Sequence, residues 1–149
     1  PDLQSGSVIT GTGVPATVRA AENTSQGSIT STTYVAPTNA CGIAFIAPTT
    51  GRVLVMWRAR TLDNNTAGQI TYLSIEAREG TSVGSGTVIL DPSDEYAFFH
   101  MGVNECGFGM FYPIDGLTPG EDYNVRLMQR VSGGSGTLDD REIIVMPLT

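Results

Sequence analysis

Apolar and polar positions alternate with a period of two along most of the chain. In residues 122–131, Tyr123, Val125, Leu127 and Val131 alternate with Asn124, Arg126, Met128 and Arg130. Such alternation marks a strand with one buried face. In residues 52–60, Val53, Val55 and Trp57 interleave with Leu54, Met56 and Arg58. Both sets begin apolar, which predicts a strand inside a sheet. Residues 28–35, 41–47, 69–78, 87–90, 95–101 and 107–114 give further strands, and the segment after Gly136 a last one. Phe99, Phe108, Met110 and Tyr112 are expected in the core. Turn chemistry separates the strands at residues 48–51 (Pro-Thr-Thr-Gly), 63–68, 81–86 and Pro119-Gly120, where Pro presets φ and Gly accepts positive φ. No stretch carries helical spacing. The prediction is an all-β chain folded as an antiparallel sandwich or barrel.

Residues 1–27 differ from the rest. They are small, polar and rich in Gly, Thr and Ser, with short apolar points at Leu3, Val8, Ile9 and Val14. They read as an extended N-terminal arm, either a frayed terminus or a segment that docks on a partner, ahead of a β-sandwich domain at 28–149. Leu3, Val8, Ile9 and Val14 are the candidate partner-binding residues of that arm.

Composition narrows the function classes. A chain of 149 residues with 40% apolar residues is long enough for one domain with its own core. The net charge is −7, which disfavours a nucleic-acid partner. No segment approaches the roughly 18 continuous apolar residues of a membrane span, and no basic-then-apolar leader is present. Pro1-Asp2 is what removal of an initiator methionine leaves, so the expectation is a complete chain made in a cytoplasm. Cys41 and Cys106, the two cysteines, sit among small or apolar residues; two buried free thiols are expected, with one disulfide as the alternative, and a metal site is not expected.

Candidate chemistry is sparse. His100 is the single histidine, and neither a G-x-S-x-G elbow nor a reactive-cysteine signature accompanies it. The acidic clusters Asp91, Asp94, Glu95 and Asp139, Asp140, Glu142 do not match a twelve-residue calcium loop. The VSGGSG stretch at residues 131–136 lacks the Lys and Ser/Thr of a phosphate loop and joins two strands, so it reads as a hairpin loop. No cofactor, metal or catalytic residue is expected, and the chain reads as a non-enzyme. Arg58, Arg126 and Arg130 occupy alternate strand positions and are candidates for a subunit interface or for cross-strand ion pairs. Tyr34, Tyr72, Tyr96 and Tyr112 are candidates for an exposed aromatic cluster that could take a glycan.

Residues 116–127, GLTPGEDYNVRL, resemble the turn-then-tyrosine corner of fibronectin type III domains, with Tyr123 as the corner residue. A broader resemblance covers residues 28–149. STTYV at 31–35, F-x-A-P-x-x-GRVLV at 45–55, NNTAG at 64–68, VGSGTV at 83–88, GLTPGxxYNVRL and the closing I-I-V-x-P-L at 143–148 resemble a β-domain of virion proteins from actinobacterial tailed phages, of head-decoration or minor-tail type. The opening PDLQSGSVI is also similar to the start of such proteins. The strand FxAPxxGRVLV resembles, more faintly, jelly rolls of the C1q and tumour-necrosis-factor type. These resemblances imply a jelly-roll-like sandwich, a capsid decoration or minor capsid role on the virion surface, and assembly as a homotrimer on a major capsid protein or another virion protein. The alternative they imply is a minor tail protein or a receptor- or glycan-binding module.

Overall fold

The computed structural model describes residues 16–149, and every regular element in them except one turn is a strand. The strands are β1 (Val18–Glu22), β2 (Gln26–Ile29), β3 (Gly42–Ile46), β4 (Val53–Asn64), β5 (Ile70–Glu79), β6 (Val88–Leu90), β7 (Phe98–Met101), β8 (Cys106–Ile114), β9 (Asp122–Val131) and β10 (Gly136–Pro147). A single 3-10 turn, Asp94–Tyr96, precedes β7; Ser93 caps it by accepting from the Glu95 N–H.

Two antiparallel sheets face each other. Sheet I has the order β1-β10-β4-β8, with β2 beside β10 on the same side as β1. Sheet II has the order β3-β9-β5-β6, with β7 beside β5 on the same side as β6. The pairing is nested: β1 with β10, β3 with β9, β4 with β8, and β5 with β6 and β7. A long hairpin rolled up so that successive pairs fall in alternate sheets gives this order, which is the jelly roll. The all-β antiparallel sandwich of jelly-roll type is therefore the fold.

Alternation builds the core as expected. Val53, Val55, Trp57 and Ala59 from β4 and Ile143 and Val145 from β10 pack against Leu73, Ile75 and Ala77 from β5 and Val125, Leu127 and Val131 from β9. Tyr123 closes the turn before β9: its hydroxyl accepts the Thr118 N–H at 3.0 Å, the tyrosine-corner hydrogen bond.

Three expectations are corrected. Residues 28–35 do not form one strand: β2 ends at Ile29 after Ser28 takes a positive φ of 58°. The chain then changes sheets, touching the edge of β9 through Val131 N–H to Ser31 O and the reciprocal Val35–Gln129 bridge. Within the expected arm, residues 18–22 are an edge strand of sheet I in continuous register, from Val18 opposite Val145 to Glu22 opposite Arg141. Phe99 and Phe108 are not core residues; they are 55% and 54% exposed, Phe99 because it stands on the outer face opposite Tyr72 while Phe98 takes the core position, and Phe108 because β8 lies at a free sheet edge. Arg141 is buried although it sits in an alternating strand. The positive φ of Asp140 (44°) shifts the alternation by one residue and places Arg141 opposite the inward Ala59.

Candidate functional site

The sandwich has two outer surfaces, built from the residues that alternate with the core. On sheet II the outward positions form cross-strand rows: Tyr72 beside Arg130, Ser74 beside Met128, Glu76 beside Arg126, and Arg78 beside Asn124. These are nearly all covered by the chain itself. Ser74 and Met128 are 0% and 5% exposed. Glu76 accepts from Arg78 Nε and from Arg126 Nε, each at 2.7 Å. Burial pushes the Glu76 carboxyl up, but the hydrogen bonds from both guanidinium groups outweigh it and hold it below the usual value.

The loop at residues 80–86 lies over this row. Asn124 Nδ2 donates to Gly80 O and Ser85 O, and Asn124 Oδ1 accepts the Gly84 N–H at 2.9 Å. Val83 rests where Gly42 has no side chain; a Cβ there would come within 2.7 Å of Val83 Cγ1. At the other end Arg130 is paired with Asp94 and lies between two rings, 3.9 Å from the Tyr72 centroid and 5.5 Å from that of Tyr34. Tyr34 donates to the same carboxylate at 2.8 Å. The hydrogen bond from Arg130 holds Asp94 below its ordinary value. Burial, followed by Asp94, raises Tyr34.

Sheet I presents the opposite surface. Ile144, Met56 and Phe111 stand in one cross-strand row, and Met146, Leu54 and Pro113 in the next. Phe111 is 66% exposed. Met56, Ile144 and Phe111 line an apolar groove whose floor is bare because Gly109 faces it. The polar end of the face is Glu142, held by Arg58 at 2.5 Å and by Arg19, with Arg60 next to it on Asp139 and Asp140. The hydrogen bond from Arg58 lowers the Glu142 carboxyl, and that from Arg19 adds to it.

The residues singled out in the sequence fall as follows. Leu3, Val8, Ile9 and Val14 lie outside the described residues. Arg58 borders the apolar face of sheet I, whereas Arg126 and Arg130 belong to the ion pairs of sheet II. Tyr34 and Tyr72 meet around Arg130, while Tyr96 and Tyr112 pair separately with ring centroids 4.5 Å apart; burial, followed by Tyr112, pushes Tyr96 up to about 12. Arg130 occupies a face of both the Tyr34 and Tyr72 rings, so the four tyrosines do not make one open platform. Cys41 is buried, with its thiol pushed up to about 11 by burial, and Cys106 is half-buried in β8; neither is in a disulfide. Both acidic clusters are engaged by arginines, and among the described residues no group of His, Cys, Asp and Glu is placed to hold a metal ion. His100 faces Thr71 across the β5–β7 pair, its Nε2 buried without a protein partner. No helix among the described residues is long and apolar enough to cross a membrane.

No protein-family model matches the sequence, and no curated protein matches it. Solved structures share the fold. A chain of infectious bursal disease virus, Gx strain, superposes with a TM-score of 0.56 at 9% identity over 89% of this chain and 32% of that one. The infectious bursal disease virus VP2 subviral particle gives 0.54 at 9% identity, over 89% and 32%. This chain thus spans about a third of the length of those chains. At such identity the likeness is one of fold.

Proposed function

We propose that this chain is a non-enzymatic structural protein of a virus particle, specifically a capsid decoration or minor capsid protein of a tailed phage. In this reading its N-terminal segment, with Leu3, Val8, Ile9 and Val14, anchors it in the particle, on a major capsid protein, another virion protein or a neighbouring copy of itself. The sandwich is displayed on the virion surface as a homotrimer. The observation that carries the reading is the continuous apolar row of Ile144, Met56 and Phe111 on the outer face of sheet I, where no loop lies over it and Phe111 is 66% exposed. Large apolar groups left exposed beside each other mark an interaction surface. Support comes from the fold likeness to chains of a viral particle and from the phage-protein resemblance of residues 28–149. The ion-paired acids and the isolated His100 offer no nucleophile–base pair.

The test is co-incubation of the purified chain with particles lacking it, for the full chain and for Val8→Asp/Ile9→Asp, with occupancy read by cryo-electron microscopy. The full chain is expected to occupy fixed capsid positions and the variant to leave them empty. Full occupancy by the variant removes the anchoring role, and tail-tip density favours the tail reading. A minor tail protein or a receptor- or glycan-binding module is the second reading. It draws on Phe99, exposed and 5.8 Å from Tyr72; a glycan array with no signal for the full chain would sink the glycan version.

A further inference from the structure

We infer that the free edge of β8, together with the apolar face beside it, accepts an extended segment, and that its occupant is residues 5–14 of a neighbouring copy of this chain. The inference rests on the reading of the chain as an assembling structural protein and names the contact by which it would assemble.

Free strand edges are normally guarded by shortness, charge, proline or cover. Here β6 has three residues, β7 four and β3 five, and β1 carries Arg19 and Glu22. β8 lacks these guards. It runs for nine residues, CGFGMFYPI, with no charged side chain, and its one proline stands next to last. Among the described residues it has a strand on one side only. Its pairing with β4 is regular from Phe108 to Ile114 and shifts register only at the Cys106 end, and Phe108 and Phe111 are 54% and 66% exposed. The apolar groove of Met56, Ile144 and Phe111 adjoins it. An unpaired hydrogen-bonding ladder and an apolar strip therefore coincide, and these are the two elements of strand addition: backbone bonds for affinity and alternate side chains for fit.

The occupant follows from the chain outside the described region. Residues 5–14, SGSVITGTGV, carry no charge and include the β-branched Val8, Ile9, Thr10, Thr12 and Val14, residue types that suit a strand. Their length matches β8. With no charge on either side, pairing adds no local repulsion between copies whose net charge is −7. The described chain begins at Ala16, just before β1, at the edge of sheet I opposite β8. To reach the far side of its own β8 the segment would cross four strand spacings, about 19 Å, which uses about six residues. That would place Thr10, Thr12 and Val14 over the end of the sheet and out of pairing. A neighbouring copy can offer all of residues 5–14.

Sedimentation and hydrogen exchange of the full-length chain across a concentration series test this, with Val8→Asp/Ile9→Asp as comparison. Wild type should self-associate, and those amides of β8 that point away from β4 should slow by roughly tenfold or more as concentration rises. The double variant should be monomeric, with fast β8 amides and the thermal midpoint that wild type shows at its most dilute. Self-association of the variant would assign the contact to another surface. Concentration-independent protection in a monomer would assign the segment to its own domain. A wild-type monomer with fast β8 amides at every concentration would leave the edge unoccupied. Each of these three results overturns the inference. Self-association as expected, but without particle attachment, would overturn only the virion role.

Discussion

The two outer faces of this sandwich solve the same problem in opposite ways. Each sheet has an inner face buried in the core and an outer face that begins as a row of alternating side chains. On sheet II the chain covers its own row: loop 80–86 is pinned by Asn124, Glu76 is held by Arg78 and Arg126, and Arg130 lies between Tyr34 and Tyr72. On sheet I the row Ile144, Met56, Phe111 is left open. The covered middle of sheet II is polar and internally satisfied, with exposed Phe99 and Met101 only along its β7 edge, whereas the open row of sheet I is apolar across three adjacent strands. A surface that exists to be solvated would show the reverse, so the difference points to sheet I as the side that meets a partner.

Substitutions on the two faces should therefore act on different quantities. The largest stability effect is expected at Glu76. Glu76→Gln leaves Arg78 and Arg126 facing a neutral group and should cost about 2–3 kcal/mol in denaturant unfolding, below the figure for a fully buried pair because both arginines keep partial access to water. Arg130→Ala removes the Asp94 pair and the ring contacts, and should cost about 1–2 kcal/mol by the same measurement. On sheet I, Met56→Ser with Ile144→Ser should change the unfolding free energy of the isolated chain by less than about 1 kcal/mol while weakening self-association. If that pair instead destabilises the monomer as much as Glu76→Gln does, the two faces are not different in kind.

Acid sharpens the same contrast. The carboxyls of Glu76, Asp94 and Glu142 are all held below their ordinary values by arginines. As the pH falls, the unfolded chain takes up protons before the native one, so these pairs stabilise the fold fully above the ordinary carboxylate values of 4.5 and 3.8. That stability is lost as the pH drops through the lowered native values. Thermal melts from pH 6 to pH 3 should fall below about pH 4.5, and Glu76→Gln should flatten that fall. A small effect is also expected far from both faces: Tyr123→Phe removes one hydrogen bond to Thr118 N–H and should cost about 1 kcal/mol.

The long strands were legible in the sequence because their inward residues decide the pattern. Val53, Val55 and Trp57 alternate cleanly, and so do Tyr123, Val125 and Leu127; the VSGGSG hairpin loop between β9 and β10 followed from its flanks. What alternation does not encode is which edge a strand occupies. Phe108 has the pattern of a core residue but lies on an edge strand, so its ring reaches water, and of the adjacent Phe98 and Phe99 only the register with β5 decides that Phe98 turns inward. Residues 28–35 are rich in β-formers, yet the chain must change sheets there, and Ser28 takes the positive φ that starts the exit. The pairing of Arg130 with Asp94 and of Glu142 with Arg58 joins positions 36 and 84 apart in the chain, which no local pattern predicts. The lack of charge in CGFGMFYPI was visible in the sequence, but it gains meaning only once β8 is known to be an edge.

Methionine oxidation gives the most direct test that sheet I is the assembly face. Met56 and Met146 sit on that outer face, and Met128 sits under the cover of sheet II. Brief peroxide footprinting of the full-length chain, dilute and then concentrated or particle-bound, should show Met56 and Met146 reacting faster than Met128 when dilute. On assembly both should become protected while Met128 is unchanged. Met56 and Met146 that stay equally reactive in the assembled state would contradict the assignment of sheet I as the face that meets a partner.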